Sequence, residues 1–149
     1  MPVEIVRRGV GRKYRSRAFK KIALAVLDIA GQKAAELSLA LIGNGEMQKL
    51  NARYRGKDYP TDVLSFPAGV GLPVAAPLLG DVIISVEKAA EQAKERRHPL
   101  DYEMVTLLIH GVVHLLGYDH ERSAKEARLM KRLEQRIYRQ LCERGLIRL

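Results

Sequence analysis

The stretch Leu100–Leu116 dominates the folding problem, because it is strongly apolar and lies between Pro99 and Gly117. Proline breaks the chain ahead of it, and glycine takes a left-handed stop more readily than any other residue. Such a segment reads as one central helix that neighbouring elements must cover. It also carries two histidines four residues apart, His110 and His114, so this buried helix must present polar side chains at one place on its surface.

The rest of the chain supplies the covering layers. Val3–Val6 alternates weakly and reads as a short strand, and Leu37–Ile42, Thr61–Phe66 and Asp81–Val86 read as three more. Ser16 is a candidate N-cap for a helix with Phe19, Ile22, Ala23, Val26 and Ile29 on one side, stopped at Gly31. Asn44 is a candidate cap for a second helix bearing Met47, Leu50 and Tyr54, stopped at Gly56. Glu87–Arg97 precedes the central helix, and Ser123–Arg144 follows it with Leu129, Leu133, Ile137 and Leu141 at four-residue steps. The Gly/Pro/Ala-rich segment Pro67–Pro77 reads as a hairpin loop, which makes 61–66 and 81–86 an antiparallel pair. The expected fold is α+β: one domain over residues 1–149, with a small mixed sheet of about four strands and about five helices. No glycine-rich phosphate loop follows a strand, so no nucleotide cofactor is expected.

The length of 149 residues suits a single core that needs no disulfide staples, and the lone Cys142 can form no intramolecular pair. The longest apolar runs, Ile22–Leu27 and Met104–Ile109, fall far short of a membrane span, and Met1–Arg8 does not read as a secretory signal. A cytoplasmic protein without a membrane partner is expected. The net charge of +9 is unevenly placed: residues 1–21 carry +7, residues 22–120 carry −3, and residues 121–149 carry +5. Basic ends attract polyanions, and nucleic acid is the leading class.

Three of the four histidines lie within His110-Gly-Val-Val-His114-Leu-Leu-Gly-Tyr-Asp-His120. On a helix, His110 and His114 project from one face a turn apart, and Gly117 lets the chain double back to deliver His120. Three imidazole nitrogens leave a fourth tetrahedral position open, the pattern of a catalytic rather than a structural zinc. Zinc proteases place a glutamate base directly after the first histidine of such a helix. Here that position is Gly111, which has no carboxylate and, on the sequence alone, leaves room beside the metal for a bulky group such as a phosphodiester.

The segment His110–His120 resembles the signature of the YbeY family of bacterial rRNA-maturation endoribonucleases, with Val113 where that family usually has leucine. Leu50–Arg55 followed by Pro60–Pro67, and Leu79–Ser85, are similar to two further blocks of the family in the same order. The resemblance implies a metal-dependent endoribonuclease specific for single strands, acting in small-subunit rRNA 3′ end maturation and ribosome quality control. It implies His110, His114 and His120 as ligands of one Zn²⁺ and His110 with Arg55 as catalytic residues, Arg55 facing the scissile phosphate. Single-stranded RNA and the ribosome or its small subunit would be the partners. Asp119 reads either as a residue that orients a histidine or as a turn residue. Asp62, Asp81, Ser65 and Tyr118 have ordinary strand-end or packing explanations, and His98 reads as a loop histidine. Two rival readings are an RNA-binding or ribosome assembly factor with a structural metal and a metalloprotease-like hydrolase, the latter opposed by Gly111.

Overall fold

The structure is a computed structural model and describes residues 3–68 and 78–147. Its elements run β1 (Val3–Arg7), a 3₁₀ turn (Gly9–Lys13), α1 (Ala18–Ile29), β2 (Glu36–Ile42), α2 (Asn44–Arg55), β3 (Val63–Pro67), β4 (Leu78–Ser85), α3 (Val86–Arg96), α4 (Leu100–Leu115) and α5 (Ala124–Glu143). The four strands form one sheet in the order β1-β2-β4-β3. β1 and β4 flank β2 in parallel, whereas β3 pairs antiparallel with β4, Val63 opposite Ile84 and Phe66 opposite Asp81. The sheet is mixed and the fold is α+β, as the order of segments implied.

Alternation along the strands decides which helix covers which face. Leu37, Leu39, Leu41, Val82 and Ile84 point into the main core with Phe19 and Val26 of α1, Met104, Leu108 and Val112 of α4, and Met130, Ile137 and Leu141 of α5. The intervening residues Ile42, Leu64, Phe66 and Ile83 point the other way, where Met47 and Leu50 of α2 cover them. One face of the sheet is thus covered by α1, α4 and α5, whereas the other is covered only where α2 lies, and Glu4 and Val6 of β1 stay exposed. Leu108 is fully buried, so truncation to alanine there costs roughly 2–5 kcal/mol.

Several local expectations are corrected. Ser16 does not cap α1 with its side chain; the N-cap is Arg17, and only the Ser16 carbonyl accepts a bond, from Phe19 N–H at 3.4 Å. Asn44 is the first helical residue rather than the cap, its N–H donating to Glu87 and its amide oxygen accepting from Ser85 Oγ at 2.7 Å. On α5 the buried face runs through Met130, Ile137 and Leu141, while Leu129 is exposed. A four-residue step of 400° drifts by 40° each time, so a stripe started at Leu129 begins outside the buried face and turns onto it only at Ile137 and Leu141. β3 and β4 occupy 63–67 and 78–85 rather than 61–66 and 81–86, so Asp81 sits inside its strand. Residues 69–77 of the expected hairpin loop lie outside the described residues.

Candidate metal centre and its cleft

α4 delivers His110 and His114 side by side, with ring centroids 4.7 Å apart. The helix ends at Leu115, and Gly117 adopts φ +101°, which bends the chain back sharply. Asp119 secures the turn by accepting the Glu121 N–H at 2.9 Å, a bond that also holds its carboxyl below the usual range. His120 is thereby returned to 5.8 Å from His110 and 5.7 Å from His114. One ligating nitrogen from each ring lies within 4.8 Å of the others. Zn–N bonds of about 2.0–2.1 Å place tetrahedral ligands roughly 3.4 Å apart. Small rotations of the exposed His120 ring cover that difference, so the three residues fit one metal ion.

Charge and burial act differently on the two helical imidazoles. His110 Nδ1 lies 3.2 and 3.4 Å from the two carboxylate oxygens of Glu134 on α5. An Nδ1–H donated to that carboxylate leaves the Nε2 lone pair for a metal, the arrangement by which carboxylates orient histidine ligands. In the metal-free protein the Glu134 hydrogen bond raises the His110 pKa, against the opposing effect of burial. His114 moves the other way, lowered by burial and by the neighbouring His110 and His120.

These histidines form one side of a cleft of about 250 Å³ whose other walls include Asn51, Arg55, Lys57, Asp62 and Ser65. Arg55 is the last residue of α2, and Gly56 ends that helix at φ +67°, which leaves the exposed guanidinium free to turn toward the opening. It also lines an adjoining hollow with His114, Tyr118 and Arg122. Asp62 bonds Val63 N–H at 2.7 Å and receives Gln92 Nε2 at 3.2 Å, so it fixes the cleft floor to α3. Asp81 and His98 stand elsewhere; His98 lies 3.5 Å from the fully buried Glu103, which Arg96 holds at 2.6 Å.

Gly111 has a role different from the one its composition suggested. A Cβ there would sit 2.7 Å from Val82 Cγ1 and 3.2 Å from Ser65 Oγ. Ser65 Oγ already donates to the Gly111 carbonyl at 3.2 Å. The missing side chain lets α4 touch the sheet and opens no space beside the histidines; it equally leaves no position there for a protease-type glutamate.

Sequence reasoning missed Glu134. Its signal was faint: a carboxylate between Leu133 and Ile137 on the half-buried side of an amphipathic helix. Only the packing of α5 on α4 reveals that it meets His110.

Together the mixed sheet, the central helix and an open, all-histidine cluster define a small α+β protein with a metal-competent cleft. Residues 7–142 match the family described as "Endoribonuclease YbeY". A relative of that name from Alkaliphilus oremlandii is 53% identical over 102 residues, 66% of this chain and 68% of the relative. Another, from Persephonella marina, is 43% identical over 136 residues, 91% and 86% of the two chains. The chain belongs to the YbeY family. In fold it is also similar to a Thermotoga maritima protein solved in solution, with a TM-score of 0.60 and 24% identity over 97% of this chain and 94% of that one.

Proposed function

We propose that this protein is a zinc-dependent endoribonuclease that cuts single-stranded RNA during small-subunit rRNA maturation and ribosome quality control, in the cytoplasm. The observation that carries the reading is the convergence of His110, His114 and His120 on one point at the wall of a cleft that Arg55 also lines. The relatives' name supports RNA as the substrate, and the net charge of +9 supports a polyanion. An all-imidazole donor set suits zinc among the common divalent ions. When bound, such an ion polarises a phosphoryl oxygen and acidifies a water.

The chain's own residues do the rest. Glu134 holds the His110 ring with Nε2 toward the centre, and the turn at Gly117 and Asp119 brings up His120. Arg55 presents a permanently charged planar fork to the phosphate, where extra negative charge develops as phosphorus is attacked. Lys57 on the same wall adds a point charge for the strand. A peptidase reading is disfavoured because a carboxylate after His110 would collide with Val82 and Ser65.

The test is incubation of metal-defined protein with single-stranded RNA and matched DNA, with mapping of product ends. Cleavage confined to RNA, dependent on metal and lost in His114→Ala, is the expected result. Arg55→Ala should lower the rate by about 10²–10³ while thermal stability and metal content stay near wild type, and Arg55→Lys should fall between. Tight RNA binding by metal-loaded protein without cleavage would replace this reading with that of an assembly factor.

A further inference from the structure

Away from the histidine cleft, Arg7, Arg12, Arg15 and Arg17 line a second concavity of about 360 Å³ together with Ser16. We propose that it is a separate RNA-backbone subsite, which takes a phosphodiester of the strand flanking the one held at the histidines. The proposal rests on the reading of RNA as the ligand, and it adds where a longer strand is gripped.

The arginines stand on a rigid frame. Gly11 is buried against the end of β2, where a Cβ would run into the Leu41 carbonyl, and Arg8 N–H donates to that carbonyl at 2.9 Å. Tyr14 is buried, its ring edge-on to Phe19 and its hydroxyl donating to Asp101 at 2.6 Å. Both ends of the segment are therefore pinned, one to the sheet and one to α4. Two of the guanidiniums are also aimed: Arg7 Nε donates to the Tyr14 carbonyl at 2.9 Å and Arg15 Nε to the Arg12 carbonyl at 3.1 Å. Bonding through Nε leaves the terminal nitrogens of each fork for an external acceptor, and a guanidinium fork matches phosphate oxygens in pairs.

The charges are unbalanced. Among the described residues, no ion pair includes Arg7, Arg12, Arg15 or Arg17, whereas Arg8 pairs with Glu46 and Arg144 with Asp28. Four like charges around one hollow repel one another, and a phosphate placed among them relieves that repulsion. Among the described residues the lining holds no aromatic or apolar side chain for base stacking, so recognition is of the backbone and independent of sequence. Asp101, which holds Tyr14, precedes His110 by nine residues and His114 by thirteen on α4. At 1.5 Å per residue that is roughly 14–20 Å, or about four to six nucleotides at a stacked rise of 3.4 Å. A strand longer than that covers this axial separation, and a very short one does not.

The experiment compares metal-loaded wild type with R12Q/R15Q/R17Q, whose changed side chains are all exposed, using uncleavable 2′-O-methyl RNAs of about 3 and about 15 nucleotides, spans set by the stacked rise. For the long RNA the triple variant should bind about tenfold more weakly, with a log–log salt slope shallower by about two, given roughly 0.7 per lost phosphate contact on a single strand. For the short RNA the change should stay within about twofold, because that strand reaches only one of the two places. The R12K/R15K/R17K variant should keep the slope and recover part of the affinity. Unchanged long-RNA affinity and slope in the glutamine variant would overturn the subsite while leaving the functional reading intact. Equal loss on both RNAs would also overturn it, in favour of a diffuse field. Loss of binding to anionic phospholipid vesicles with RNA binding unchanged would assign the arginines to a membrane instead. A wild type that binds neither RNA would overturn both the subsite and the reading beneath it.

Discussion

Glu134 offers a quantitative test of the metal centre. Its carboxylate sits 3.2 and 3.4 Å from His110 Nδ1 and is about a quarter exposed. In Glu134→Ala the ring loses its acceptor, and both its rotation and its tautomer become free. Loss of such an orienting partner costs about 10–100-fold in metal affinity, or roughly 1.4–2.8 kcal/mol at 1.4 kcal/mol per tenfold. Glutamine keeps an acceptor oxygen but not the charge, and charge-assisted bonds are about twice as strong as neutral ones. Glu134→Gln should therefore lose about half of that free energy, roughly 3–10-fold. Competition for Zn²⁺ against a chromophoric chelator at fixed pH gives the dissociation constants, and circular dichroism of the metal-free proteins checks that α5 still packs. The expected order of affinity is wild type, then glutamine, then alanine. A folded alanine variant that holds zinc as tightly as wild type would refute the orienting role.

Two further outcomes concern stability. Gly111→Ala should destabilise by about 1–3 kcal/mol, read by urea unfolding, because its new Cβ meets Val82 at 2.7 Å; an unchanged midpoint would mean that α4 can lift off the sheet freely. Tyr14→Phe strips Asp101 of a 2.6 Å donor and should cost about 1.5–3 kcal/mol at pH 8, the worth of a bond to a charged group. Burial first, then the Asp101 bond and charge, push the Tyr14 phenol well above its ordinary value. The fold thus favours the neutral phenol, so this contribution is complete below the unfolded pKa of about 10 and fades as pH rises beyond it. The stability curves of wild type and Tyr14→Phe should converge above that pH, and parallel curves would contradict the assignment.

What could be read from the sequence divides along physical lines. The helix stops at Gly31, Gly56 and Gly117 and the strand pair around the 69–77 segment follow from local chemistry, and each stands close to where the residues put it. The histidine cluster was legible because its spacing encodes its own geometry, two ligands by helical repeat and one by a turn. Glu134 was not, since its meeting with His110 depends on how α5 packs on α4, a contact between residues 24 apart. Gly111 misled for the same reason: from the sequence it borders the histidines, and only the sheet beneath α4 shows that its empty side faces Val82 and Ser65. Asp119, open between two roles, is engaged in the turn. The arginine concavity was visible only as excess charge, because its shape comes from Gly11 and Tyr14 being fastened to distant elements.

The three histidines are not held alike, and this bears on how fast an ion exchanges. His110 and His114 ride on a helix whose other side is buried, whereas His120 is exposed on a turn after Gly117. The helical pair thus forms a half-shell fixed to the core, and the turn supplies the third side. A bound ion would be held by two nitrogens of the helix and one of the turn. If that ion exchanges by release of one ligand, the exposed His120 on its turn is the one to yield, and the lifetime would follow the opening of residues 117–120 rather than unfolding of α4. Stiffening that turn would slow both loading and loss without altering the ligands themselves.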